Sequence, residues 1–103
     1  MKERYIEQYL VRRVKELGGE VRKVKWIGRR GAPDRLVMLP ARRLVQSIDC
    51  AWCNPTGKTL WVELKATGEK PEAHQLREHV RMRKMGQVVV VVDSIERVDE
   101  VLR

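Results

Sequence analysis

Two carboxylates and an amine stand out for the chemistry they could do together: Asp34, preceded by Gly31-Ala32-Pro33, and Glu63 with Lys65 in the segment Trp61-Val62-Glu63-Leu64-Lys65. Cutting a phosphodiester requires charge on the phosphate to be neutralised, a water to be deprotonated in line with the scissile bond, and the departing oxygen to be stabilised. A hard divalent cation supplies the first two. Mg²⁺ takes oxygen ligands and keeps several of its waters, so one or two protein carboxylates hold it. Asp34 and Glu63 suit that role, with the Leu64 carbonyl as a third candidate ligand. Lys65 would orient or help deprotonate the attacking water and offset negative charge in the transition state. Each residue alone has an ordinary alternative: Asp34 as a turn residue, Glu63 and Lys65 as a surface ion pair. Their joint occurrence, with proline before the aspartate and apolar residues around the Glu-x-Lys pair, favours a site.

The elements that must position these groups are legible in the spacing of apolar residues. Ile6, Leu10, Val14 and Leu17 form one stripe of a helix from Glu3 to Leu17, stopped by Gly18-Gly19. Glu3 and Glu7 lie on or beside that stripe, near the open N-terminal end. A strand is expected between Gly19 and Ile27, followed by the loop Gly28-Arg29-Arg30-Gly31-Ala32-Pro33. Asp34 to Leu39 reads as a buried strand with Asp34 at its mouth. Thr59 to Ala66 reads as another, with Leu60, Val62 and Leu64 on one face and Trp61, Glu63 and Lys65 on the other. Between them, Ala41 to Lys58 is least legible: Leu44, Val45 and Ile48 suit a short strand or helix, and Asn54-Pro55-Thr56-Gly57 a turn.

Pro71 suits the first position of a helix running to Met85, with Ala73, Leu76 and Val80 as its core seam and Met82 on the opposite side. Gln87 to Val92 holds five consecutive valines, the pattern of a strand buried on both faces. Asp93 or Ser94 then caps a last helix with Ile95, Val98 and Leu102 inward. The order αβββαβα implies an α/β fold whose mixed sheet combines an antiparallel meander with a parallel last strand. At 103 residues the chain is one domain, 1–103.

Charge narrows the partner. Twenty-two Lys and Arg against fourteen Asp and Glu give +8, which favours nucleic acid. Arg29, Arg30 and Arg35 flank the acidic site, and Lys23, Lys25, Arg42 and Arg43 extend a basic track suited to positioning phosphates rather than reading bases. No apolar run approaches the ~20 residues that span a bilayer, so no membrane partner and a cytoplasmic location are expected. Cys50 and Cys53 lack a second pair, and His74 and His79 are five apart, so neither pair is expected to bind metal.

Gly31-Ala32-Pro33-Asp34, Val62-Glu63-Leu64-Lys65 and Gln75 resemble the PD-(D/E)xK nuclease superfamily, and specifically its VRR-NUC family. The first helix with Glu7, its Leu17-Gly18-Gly19 end and the Lys23 strand before Arg29-Arg30-Gly31 extend the likeness over essentially the whole chain. The stretch Ala41 to Gly57 is longer than the tight hairpin the family pattern suggests there. The resemblance implies a restriction-endonuclease-like core and dependence on Mg²⁺ or Mn²⁺, with no small-molecule cofactor. It makes Asp34 and Glu63 metal ligands and Lys65 the catalytic lysine. Glu7, with Glu3 in reserve, would complete the site, and Gln75 would contact the metal-bound water or the scissile phosphate. It also implies a homodimer acting on branched DNA such as a Holliday junction, as symmetric cutting of two strands would require. The alternative is a nucleic-acid-binding module with a nuclease fold and no cleavage activity.

Overall fold

The computed structural model describes residues 1–41 and 57–103; the readings for Arg42, Arg43, Leu44, Val45, Ile48, Cys50, Cys53 and Asn54 to Thr56 lie outside the described residues. Seven elements follow one another: α1 (Glu3–Glu16), β1 (Glu20–Lys23), β2 (Arg35–Leu39), β3 (Lys58–Leu64), α2 (Ala73–Lys84), β4 (Val89–Val92) and α3 (Ile95–Val101). The strands form one sheet in the order β1-β2-β3-β4. The first two pairings are antiparallel and β3-β4 is parallel, as a helical crossover between neighbouring strands requires. The α/β mixed sheet and the element order agree with the expectation from sequence.

One face of the sheet carries the main core. Leu60, Val62 and Leu64 of β3 join Val37 of β2 and Val92 of β4, and against them pack Ile6, Leu10 and Val14 of α1 and Val98, Val101 and Leu102 at the end of the chain. The four-four spacing of the α1 residues is what keeps them on a single stripe facing the strands. Gly18, at φ +83°, turns the chain out of α1 in the left-handed conformation that a side chain would oppose. Ser94, one of the two proposed caps, closes α3: its hydroxyl accepts from the Arg97 backbone N–H at 3.0 Å.

The opposite face departs from the expected packing. Helix α2 buries Glu78, His79 and Met82, while Leu76 and Val80 are 48% and 47% exposed and Ala73 is exposed. The seam 73-76-80 is therefore wrong, and Met82 lies inside rather than on the far side. Counting apolar residues selects the stripe with most hydrocarbon, but this helix turns a partly polar stripe inward because a carboxylate and a guanidinium wait there. Pro71 precedes the helix instead of starting it; Glu72 is the N-cap.

The valine strand is also less enclosed than its composition suggests. β4 ends the sheet, so only Val89 and Val92 are buried, Val90 and Val91 are half-buried and Val88 is exposed. Its outward carbonyls are occupied: Arg83 donates to Val89 O at 2.9 Å, and Arg97 to Val91 O at 3.2 Å.

Candidate active site

The antiparallel register brings the two central carboxylates together. Arg35 pairs with Val62 and Leu36 with Trp61 where the β2–β3 ladder ends, and continuing that register by one residue sets Asp34 at the level of Glu63, on which its charge acts. Directly opposed residues share a face of the sheet, with Cβ atoms about 5 Å apart. The strand pairing continues to this point on the other side too, where the Val24 N–H donates to Asp34 O at 2.9 Å. Lys65, two residues beyond Glu63, shares its face by alternation, and its backbone N–H donates to Val92 O at 3.0 Å, fixing it at the end of β3.

The loop that delivers Asp34 is fastened at three places. Trp26 donates its indole N–H to Pro33 O at 2.8 Å, and its ring leans on Trp61 at 5.2 Å. Arg29 forms an ion pair with Glu78 of α2 at 2.9 Å, where Glu78 also receives Arg81. Gly31, at φ +89°, presses against His74: a Cβ there would lie 2.9 Å from the His74 carbonyl oxygen. A glycine is required at that place both by dihedral and by space.

Glu63 is 8% exposed, and its environment favours the protonated form. Burial, opposed by Lys65 and reinforced by the charges of Asp34 and Glu3, pushes its carboxyl up to about 7. Behind it sits His79, 0% exposed, with Nε2 3.2 Å from Glu63 Oε1. Burial holds His79 below the usual imidazole range. The spacing of His79 from Gln75 and Met82, on one helical face, is the sequence signal that places it inside.

The helix carboxylates separate clearly. Glu7 gives both oxygens to Arg35, which donates through Nε at 3.2 Å and Nη2 at 3.0 Å. Glu3 is exposed, and its charge is the one from α1 that acts on Glu63. Arg35 also pairs with Asp34 at 2.8 Å. At 7% exposure, held between two carboxylates, it is a brace for the site rather than the phosphate contact expected from sequence. Gln75 accepts from the Glu72 backbone N–H at 2.8 Å, so its side-chain oxygen closes the start of α2. Leu64 sends its side chain into the α1 core, so its backbone carbonyl is the only oxygen it could offer a cation.

Among the basic residues, Lys23, Lys25 and Arg30 are exposed, and Arg29 is half-exposed with its charge shared by Glu78. Lys23, Val24, Lys25 and Trp26 line a shallow hollow that ends at Asp34. Ile27, 90% exposed, lies between Lys25 and Arg29 in this loop.

The donor set suits a magnesium-like ion. Among the described residues no three His, Cys, Asp or Glu side chains converge into a closed cage. Mg²⁺ asks for less than that, since one or two carboxylates and retained waters suffice. Burial is the main cause of the raised Glu63, and a divalent cation would offset it by favouring the ionised carboxylate. No helix among the described residues is long and apolar enough to cross a membrane.

Comparison with known proteins places this geometry. No family model matches the chain. It is 44% identical over 94 residues to "Putative nuclease p44" of Acyrthosiphon pisum secondary endosymbiont phage 1, covering 91% of this chain and 85% of that protein. A solved structure described as "VRR_NUC domain" superposes with a TM-score of 0.76 at 41% identity, covering 99% of this chain and 95% of that one. Identity and coverage at this level mean that the chain belongs to the VRR-NUC domain family.

Proposed function

We propose that this protein is a metal-dependent endonuclease that hydrolyses DNA phosphodiesters at Asp34, Glu63 and Lys65. The observation that carries the reading is the β2–β3 register, which sets Asp34, just ahead of β2, at the level of Glu63, whose carboxyl burial pushes up to about 7. When bound, Mg²⁺ or Mn²⁺ supplies neutralisation of the phosphate and acidification of a water. Asp34 and Glu63 would hold it, and the Leu64 carbonyl and Glu3 are the remaining oxygen donors at the site. Lys65 orients the attacking water and faces the charge that develops on the phosphoryl oxygens. Arg35 keeps Asp34 in place by sharing its guanidinium with Glu7, so Glu7 serves the site through Arg35. Lys23, Lys25, Arg29 and Arg30 position the phosphate backbone.

Branched DNA is the preferred substrate in this reading, and a homodimer its working form, because two symmetric cuts need two sites related by a two-fold axis. The test is incubation with four-way junction, flap and linear duplex DNA in Mg²⁺, Mn²⁺ or EDTA. Cleavage that needs the metal and disappears in Glu63→Ala and Lys65→Ala is expected. Cleavage that persists in EDTA, or is undiminished in those variants, refutes the reading. Binding without cleavage under every metal condition would leave a nucleic-acid-binding module. Light scattering that gives the 12.1 kDa monomer mass at micromolar concentration would refute the dimer.

A further inference from the structure

We infer that His79 is a positioning residue, whose ring holds one oxygen of Glu63 in place so that the other is presented to the cation. This rests on the nuclease reading above and concerns a residue that makes no contact with substrate.

The inference starts from an imbalance of polar groups. His79 is wholly buried, its Nε2 lies 3.2 Å from Glu63 Oε1, and its Nδ1 has no hydrogen-bond partner. A buried N–H without an acceptor costs more than a bare ring nitrogen with a lone pair, because an orphaned donor is the scarcer and less tolerated case. The proton of the neutral ring therefore sits on Nε2 and is donated to Glu63 Oε1. Nδ1 faces its surroundings as an unfilled acceptor. A histidine kept only for packing would gain from replacement by an apolar side chain of similar volume, since that replacement removes the unfilled nitrogen.

Geometry explains what the ring gains in return. Glu63 stands on β3 and His79 on α2, so the hydrogen bond ties strand to helix across the layer that separates the site from the helix. A glutamate side chain has three rotatable bonds, and fixing one carboxylate oxygen leaves the second a narrow range of directions. On the other side, Glu78 holds Arg29 of the loop that delivers Asp34. Adjacent residues of α2 thus brace the two carboxylates from behind, His79 directly and Glu78 through the loop. This is why the helix turns polar side chains inward and leaves Leu76 and Val80 outside.

Outer partners of metal ligands typically change affinity by about 10–100-fold when removed. The experiment is titration of Mn²⁺ by calorimetry and electron paramagnetic resonance on DNA-free protein, comparing wild type, Glu63→Ala, His79→Leu and His79→Gln, with thermal melts in EDTA on each. His79→Leu is expected to bind Mn²⁺ about tenfold or more weakly. His79→Gln, whose amide N–H can occupy the place of Nε2–H, should remain within about threefold of wild type. Unchanged Mn²⁺ affinity in folded His79→Leu overturns the inference. If His79→Leu does not fold, His79→Asn takes its place: its amide is too short to reach Glu63, so it should bind like the leucine variant, and affinity equal to His79→Gln overturns the inference. If wild type itself shows no Mn²⁺ binding that Glu63→Ala abolishes, the metal-site reading falls and the inference with it. A Mn²⁺ site that depends on Glu63 but not on His79 leaves the nuclease reading standing and refutes the role of His79 alone.

Discussion

Replacing Glu63 by glutamine should abolish cleavage and make the metal-free protein more stable at alkaline pH. A glutamate carboxyl in an unfolded chain titrates near 4.5, whereas in the folded protein it is pushed up to about 7. Between those values the folded state keeps a proton that the unfolded state has released, so stability falls as pH rises through this window and stays low above it. This is the reverse of the usual carboxylate, whose partner lowers its pKa. Moving from 4.5 to about 7 corresponds to roughly 3 kcal/mol of destabilisation once Glu63 is ionised, and relaxation around the charge reduces that to ~2 kcal/mol. Glutamine keeps the shape, stays neutral and still accepts from His79 through its oxygen. The variant should therefore melt roughly 8–16 °C above wild type at pH 8.5 in EDTA and show no advantage at pH 4.5. Other titrating groups are common to both proteins and cancel in the difference. Saturating Mn²⁺ should shrink the gain, because the cation stabilises only the ionised wild-type carboxylate. Thermal melts followed by circular dichroism between pH 4.5 and 8.5 provide the measurement. A constant difference between the two proteins across that range would refute the placement of Glu63 in a buried, negatively biased site.

Four further outcomes follow from the same geometry. Arg30→Ala should weaken DNA binding in EDTA and reduce the slope of log affinity against log salt by about 1, the signature of one lost phosphate contact; an unchanged slope would remove Arg30 from the interface. Gly31→Ala should destabilise the protein by more than about 1 kcal/mol, because it meets the His74 carbonyl and an unfavourable φ together, and a melt within error of wild type would contradict the packing of that loop. Glu78→Gln should cost on the order of 1–3 kcal/mol and speed hydrogen exchange in the loop Gly28 to Asp34, since it weakens charged hydrogen bonds to Arg29 and Arg81. Leu10→Ala, at a fully buried position of the main core, should cost about 2–5 kcal/mol in urea unfolding without altering Mn²⁺ affinity of the folded protein.

The order of elements and the central carboxylates were legible because they rest on periodicity and register. Alternation alone puts Glu63 and Lys65 on one face, and the antiparallel register, continued by one residue, then sets Asp34 at the level of Glu63. What periodicity missed lies where polar residues are buried in pairs. Leu76 and Val80 outvote Glu78 and His79 in any count of hydrocarbon, yet the polar pair is inside because each member has a partner on another element. Arg35 hides for the same reason: a strand residue beside an acidic site reads as a phosphate contact, whereas Glu7 of α1 holds its guanidinium. The choice between Glu3 and Glu7 needed coordinates, since both fall near the same helical stripe and only their distances to other charges distinguish them. The capping role of Gln75 follows from its place three residues after Glu72, a spacing that family likeness overshadowed.

The two arginines that reach the outer carbonyls of the last strand carry a consequence for assembly. A newcomer seeking to lengthen the sheet at Val89–Val92 would need those very oxygens as acceptors, and would first have to dislodge the guanidinium groups of Arg83 and Arg97 while confronting their positive charge. A run of valines that could otherwise recruit strands into fibrils is thereby kept from unwanted company. Any two copies that met would accordingly be steered away from joining along this edge of the sheet.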